Sequence, residues 1–181
     1  MIIKSPFNNS SPKIHPTAFI APNAVIIGDV EIGAYTNIWF NAVLRGDWGT
    51  ILVGEYTSIQ ENVVIHSRPN ETCKIGNNVR LGHSCMCHGP CIVEDYSLVG
   101  IHATILPNGH LSLGSTLAGG SVLREKTQEF CLYTGIPAIK KKEYQNKRLN
   151  EFSTNLYAEN GQKFKKAGIC QLIPDEFLIK D

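Results

Sequence analysis

The sequence predicts an all-β solenoid, a parallel β-helix built from six-residue units, and two observations carry that prediction. The first is a period of six. Aliphatic residues fall at Ile14, Ile20, Ile26, Ile32, Ile38 and Leu44, and they resume at Val53, Ile59 and Ile65. A third run follows at Ile75, Leu81, Cys87, Val93, Val99, Ile105, Leu111, Leu117 and Leu123, with a thiol standing in once. The second observation is the small or β-branched residue four positions after nearly every one, as at Ala18, Thr36, Thr57, Val79, Cys85 and Ser97. A period of six fits neither the 3.6 of a helix nor the 2 of a plain strand. It fits a prism in which each hexad is one flat face, the aliphatic points inward, and three faces close a coil. Eighteen hexads make about six coils, or roughly 29 Å of prism at roughly 4.8 Å per coil.

The elements follow in order. Residues 1–13 are polar and form an extended N-terminal lead-in. Residues 14–128 are the β-helix domain. Two insertions break the period, Arg45-Gly46-Asp47-Trp48-Gly49-Thr50 and Ser67 to Lys74, the second carrying Pro69-Asn70. Both are expected to leave the coil as loops, and loops on a rigid scaffold are where function concentrates. Residues 129–181 hold a closing turn, a C-terminal α-helix and a tail without a readable signal after Gly168. The helix is expected over Lys140 to about Lys166, with Tyr144, Phe152, Leu156 and Phe164 as a partial apolar stripe that covers a prism face or a subunit contact.

Composition narrows the class. The 181 residues suit one domain with an ample core, and a formal net charge of +1 with 18% charged residues offers no field for nucleic acid or a membrane surface. Six cysteines show no small secreted framework, no signal peptide precedes the repeats and no apolar run approaches a membrane span, so a cytoplasmic protein with reduced thiols is expected.

The chemistry gathers between Arg45 and His88. Naming the faces a, b and c from Ile14 on a, and counting through both insertions, puts Leu44, Ile65 and Cys87 on face c. Arg45, His66 and His88 then share one column, with His66 and His88 22 residues apart, one coil plus a four-residue loop. Their Cα atoms should lie roughly 5 Å apart, close enough for two imidazoles to converge on one metal ion. His83 follows face b, with Glu61 below it and Gln60 below Gly82. It would join that ion only if face b of one subunit packs on face c of the next, a heterologous contact that closes as a homotrimer. A rival zinc spacing, Cys85-Met86-Cys87-His88 with Cys91, is opposed by the register, which turns those thiols inward. His15, His102 and His110 have no partners in register.

Asn41-Ala42-Val43-Leu44-Arg45-Gly46-Asp47, Ile59-Gln60-Glu61, the three histidines and Tyr133-Thr134-Gly135-Ile136-Pro137-Ala138 together resemble the γ-class carbonic anhydrase family of left-handed β-helix hexapeptide-repeat proteins, over roughly residues 14–142. The resemblance implies a homotrimer with a C-terminal helix along the prism and zinc (iron or cobalt in some members) between subunits. It assigns His66 and His88 to one chain and His83 to its neighbour as ligands. It makes Gln60 the residue that positions water or bicarbonate, Tyr133 a pocket tyrosine, and Arg45, Asp47 and Glu61 an interfacial charge cluster. The sequence departs from the family's pattern where active members carry proton-moving glutamates: Trp48-Gly49 follows Asp47 and Ser67-Arg68 follows His66. Ser58 replaces a frequent asparagine. The implied activity is reversible hydration of CO2 to bicarbonate. Two alternatives stand beside it, an acyl-CoA-dependent hexapeptide acyltransferase and a non-catalytic metal-binding trimeric scaffold.

Overall fold

Burial follows the period. All eighteen repeat residues from Ile14 to Leu123 are at most 4% exposed, and the small residues four positions later are buried with them. A larger side chain there would have no room at the corner where the chain turns to the next face. The computed structural model describes residues 1–144 and 151–180; the side chain of Phe152, part of the expected stripe, lies outside the described residues.

The corners carry a second periodic feature. The third residue after the repeat aliphatic has positive φ at Tyr35, Asn41, Tyr56, Asn62, Asn78, Ser84, Tyr96, His102 and Asn108. Left-handed backbone is costly for most L-residues and least so for asparagine, which accounts for asparagine at four of these nine corners. It also gives His102 a place in the fold.

Each face is a stack of parallel strands in the counted register. Face a climbs from Lys13–Ile14 through Glu31–Ile32, Leu52–Val53, Lys74–Ile75 and Ile92–Val93 to His110–Leu111. Face b runs from Phe19–Ile20 through Asn37–Ile38, Ser58–Ile59, Arg80–Leu81 and Leu98–Val99 to Thr116–Leu117. Face c runs from Val25–Ile26 through Val43–Leu44, Val64–Ile65, Met86–Cys87 and Thr104–Ile105 to Val122–Leu123.

The solenoid has about seven turns rather than six, because both ends add strands that the hexad count does not see. Ile2–Ile3 pairs with Ile26 and Ile27 below face c. Cys131–Thr134 continues face b above Thr116–Leu117. The tail returns to the base: Leu178 bridges to Ile14, and Gln171 donates its N–H to Ile20 O and its side-chain amide to Ala21 O and Ala24 O. The open lower edge of every face is thus met by another part of the chain, which removes a template for edge-to-edge association.

Two expected elements differ. Arg45 to Thr50 is not a loop but the middle of an eleven-residue strand, Val43–Val53, with a register shift against Val25–Ile32 between Gly28 and Val30. Gly28 has φ +78°, and a Cβ on it would lie 2.3 Å from Gly46 O, so a pair of glycines lets the strands pass at the bulge. The second insertion does turn out, at Arg68 to Glu71, before Thr72–Ile75 rejoins face a. The helix, α1, spans Glu151–Lys166; Ile139–Glu143 is instead a strand antiparallel to Cys131–Thr134, where an open sheet edge overrides helical spacing.

α1 lies on the lower coils of face b, against Phe19–Ile20, Asn37–Ile38 and Ser58–Ile59. Phe164 packs 5.8 Å from Phe19 and 5.4 Å from Trp39, and Tyr157 lies 6.1 Å from Trp39, ring to ring. Leu156, one of the expected stripe, is 50% exposed; the buried face carries Thr154, Ala158 and Gly161, with Tyr157 and Phe164 partly buried beside it. Among the described residues no helix is long and apolar enough to cross a membrane.

Candidate metal centre

The column of face c exists as counted. Arg45 pairs with His66 and His66 with His88 on successive coils, each just beyond an inward repeat residue. The strand alternation that sends Leu44, Ile65 and Cys87 into the core sends these three side chains outward. The two imidazole rings are 5.5 Å apart and nearly perpendicular at 88°. His66 Nδ1 lies 2.7 Å from Arg45 O, and His88 Nδ1 lies 3.1 Å from Gly89 O. A carbonyl only accepts, so Nδ1 of each ring carries the proton and donates, leaving the Nε2 lone pair unspent. This is the tautomer and orientation that metal-ligating histidines need.

His66 is held more firmly than its partner. It is 8% exposed, with Asp47 Oδ1 3.9 Å from Nδ1 and the Trp48 ring at 6.2 Å. Arg45 Nη1 donates to both Asp47 oxygens at 2.9 and 3.1 Å, and its guanidinium lies 5.7 Å from the Trp48 ring centre. Arg45 and Asp47 are therefore already paired within one chain.

His83 stands at the corner after face b, where the pairing of Arg80 with Ser58 and Leu81 with Ile59 carries Gly82 over Gln60 and His83 over Glu61. Its Nδ1 is 2.7 Å from Glu61 Oε2, again leaving Nε2 outward. So three imidazoles present the same nitrogen, two on face c and one beyond face b. Among the described residues no three His, Cys, Asp or Glu side chains of a single chain converge on one point.

Gln60, 3% exposed, lines a hollow of about 400 Å³ between face b and α1 together with Arg80, Gly82, His83, Leu98 and Tyr157. Tyr133 sits higher on face b, over Leu117, and its hydroxyl accepts the Gln128 N–H at 2.9 Å; it is not part of that lining. Tyr157 was not singled out by sequence, although its spacing from Phe164 is the available signal.

The rival thiol set is buried. Cys85, Cys87 and Cys91 are each at most 3% exposed. The hydrogen bond with Cys85, then burial, pushes the Cys87 thiol well above its ordinary pKa, so it resists becoming the thiolate a metal requires. His110 has a structural partner that register did not reveal: its Nε2 is 2.5 Å from Glu94 Oε1, while Leu113 N–H donates to the other carboxylate oxygen.

Comparison with known proteins adds to this geometry. Residues 11–46 match the bacterial transferase hexapeptide (six repeats) family model. The chain is 40% identical over 126 residues to γ carbonic anhydrase 1, mitochondrial, of Arabidopsis thaliana, covering 66% of this chain and 46% of that one. It is 48% identical over 86 residues to a probable carbonic anhydrase of Methanocaldococcus jannaschii, covering 48% and 54%. The chain thus spans about half the length of these curated relatives. A solved structure named a putative acetyltransferase of Bacillus cereus matches with a TM-score of 0.86 at 30% identity, covering 92% of this chain and 98% of that one. A prism of hexads with its imidazole column intact, and relatives of this kind, mean that the chain belongs to the left-handed β-helix hexapeptide-repeat family, as a γ-carbonic anhydrase-like member.

Proposed function

We propose that the protein hydrates CO2 reversibly to bicarbonate at the subunit interfaces of a homotrimer. His66 and His88 of one protomer and His83 of the next hold a zinc ion there, with iron or cobalt as alternatives of the same coordination chemistry. The observation that carries this reading is the set of three Nδ1 contacts, to Arg45 O, Gly89 O and Glu61, which leaves three Nε2 donors turned outward. Three neutral imidazoles suit a divalent zinc site with an open position. When bound, such an ion supplies a Lewis acid that makes water nucleophilic near neutral pH.

The chain's own residues do the rest. Gln60, buried beside His83, offers an amide to orient the attacking oxygen and the product. Glu61 and the Arg45 and Gly89 carbonyls keep the rings in place. In the assembled trimer Arg45 and Asp47 would meet Glu61 of the neighbour, so Arg45 links subunits rather than binding metal. Tyr133, half-buried with its oxygen occupied by Gln128 N–H, lies outside the hollow that Gln60 lines and would join the site only in the assembled trimer. We place the protein in the cytoplasm on its free cysteines, whereas the plant relatives are named as mitochondrial; cell fractionation distinguishes the two.

Elemental analysis of protein purified without chelator, run beside a stopped-flow CO2 assay, tests the reading. About one divalent ion per chain with measurable hydration is expected; absence of metal even after added zinc overturns it. Mixing His66→Ala with His83→Ala subunits should restore metal at some interfaces, because each supplies what the other lacks. A second reading, acyl transfer from an acyl-CoA, is favoured by the name of the Bacillus cereus structure; it predicts acyl-CoA binding that is indifferent to metal. A metal-holding scaffold without activity would give metal and neither reaction.

A further inference from the structure

Face b carries an outward column, the residue just before each repeat aliphatic, that climbs Phe19, Asn37, Ser58, Arg80 and Leu98. α1 covers the lower three. Two polar groups there are unspent: Asn37 Nδ2 and Ser58 Oγ are buried with no hydrogen-bond partner among the described residues. Directly above Ser58, at the mouth of the hollow beside His83, stands Arg80.

Arg80 is half-buried, and among the described residues no carboxylate is paired with it. Burial lowers its pKa from the ordinary arginine value, and Tyr157 opposes the shift. Glu61, on the neighbouring column, is taken by His83 at 2.7 Å. A guanidinium has five N–H donors and no acceptor, and taking it out of water without a carboxylate or phosphate partner is unfavourable. A residue placed this way at the edge of a hollow, with the Gln60 amide and the His83 ring alongside, is arranged to receive an anion. The planar fork of arginine matches two oxygens of a carboxylate-type anion.

We propose that Arg80 is the anion-receiving residue of this hollow and binds the two-oxygen face of a small carboxylate-type anion, which is bicarbonate on the reading given above. The anion's identity rests on that reading, whereas the role of Arg80 does not. The hollow then has a division of labour: His83 faces the neighbouring subunit, Gln60 orients, and Arg80 supplies the positive charge that the product's negative charge needs.

The test titrates chelator-treated, metal-free protein with ¹³C-labelled bicarbonate and, separately, acetate, at ionic strength held constant with chloride, following line broadening. Saturable binding of bicarbonate is expected, with acetate competing and chloride without effect. Arg80→Gln should weaken binding about tenfold, as loss of a charge-assisted two-point contact does, and Arg80→Lys should weaken it less. The inference is overturned if wild type shows no saturable binding of either anion, or if Arg80→Gln binds as tightly as wild type. Should Arg80→Gln fail to fold by circular dichroism, Arg80→Lys decides, and undiminished affinity there overturns the two-point contact. Zinc is assayed on the same samples. Arg80-dependent anion binding without zinc uptake upholds this inference and removes the metal reading; zinc uptake without such binding does the reverse.

Discussion

Removing the Glu61 carboxylate sets two effects of different size against each other. The contact to His83 Nδ1 is short, 2.7 Å, but both side chains are open to water, at 37% and 44% exposure. As an ion pair in that setting it contributes no more than about 1 kcal/mol, and long exposed side chains often return less. Glu61→Ala should therefore lower the melting temperature of metal-free protein by less than about 4 °C for a chain of this length. As an orienting contact it matters more. Loss of the partner on the far nitrogen of a ligating histidine costs about 10–100-fold in metal affinity, or about 1.4–2.7 kcal/mol. Metal affinity should thus fall much further than stability. The measurement is competition for zinc with a chromophoric chelator, with thermal melts of the metal-free proteins in parallel. Glu61→Gln should recover part of the loss, because its amide oxygen still accepts from Nδ1–H. Equal zinc affinity in wild type and Glu61→Ala would refute the reasoning and take His83 out of the ligand set.

Other perturbations have defined outcomes. Thr57→Val keeps the shape but strands the Gly76 carbonyl and the Val79 N–H, which the hydroxyl now serves at 2.8 and 3.1 Å in the core. It should cost about 2–4 kcal/mol in denaturant melts, with Thr57→Ser nearly neutral. Phe177→Ala, at a side chain 4% exposed beneath the prism, should cost about 3 kcal/mol, read the same way. Glu94 is raised by burial, but His110, Leu113 N–H and Lys126 outweigh that and hold its carboxyl below the ordinary value. A depressed folded pKa contributes stability above the unfolded carboxylate value near 4.3, and the contribution fades as pH falls through the folded value. The advantage of wild type over Glu94→Gln should accordingly be full at neutral pH and shrink in acid melts. On the proposed trimer, Arg45→Ala should weaken association in sedimentation at falling protein concentration and lower metal retention with it.

The prism was legible because its cause is periodic. One inward residue in six and one small residue at each corner are local requirements; the inward positions from Ile14 through Leu123 are all buried, and the small residue fails only where an insertion puts Trp48 or Pro69 in its place. The Arg45, His66 and His88 column was legible for the same reason, since register needs only counting. What the period does not touch was harder to read. Arg45 to Thr50 looks like a loop from its glycines, yet those glycines serve a strand that crosses its neighbour at a bulge. Lys140 to Lys142 favour a helix alone, but an unpaired edge at Cys131–Thr134 offers hydrogen bonds that spacing cannot announce. Arg80 is not legible in the sequence because its interest lies in the absence of an acidic partner among the described residues, which only packing reveals.

The position of the tail has a consequence for how the molecule is made. Coils of a solenoid ordinarily meet only their neighbours, so a growing chain can close each one soon after it is synthesised. Here the amide of Gln171 reaches Ala21, 150 residues earlier, and Ile179 N–H reaches Ile14 O. The first coil formed is finished late, and its lower edge on faces a and b stays open until residues 171–179 have left the ribosome. A cut near Gly168 would accordingly be felt first at Ile14 and Ile20, at the opposite end of the sequence.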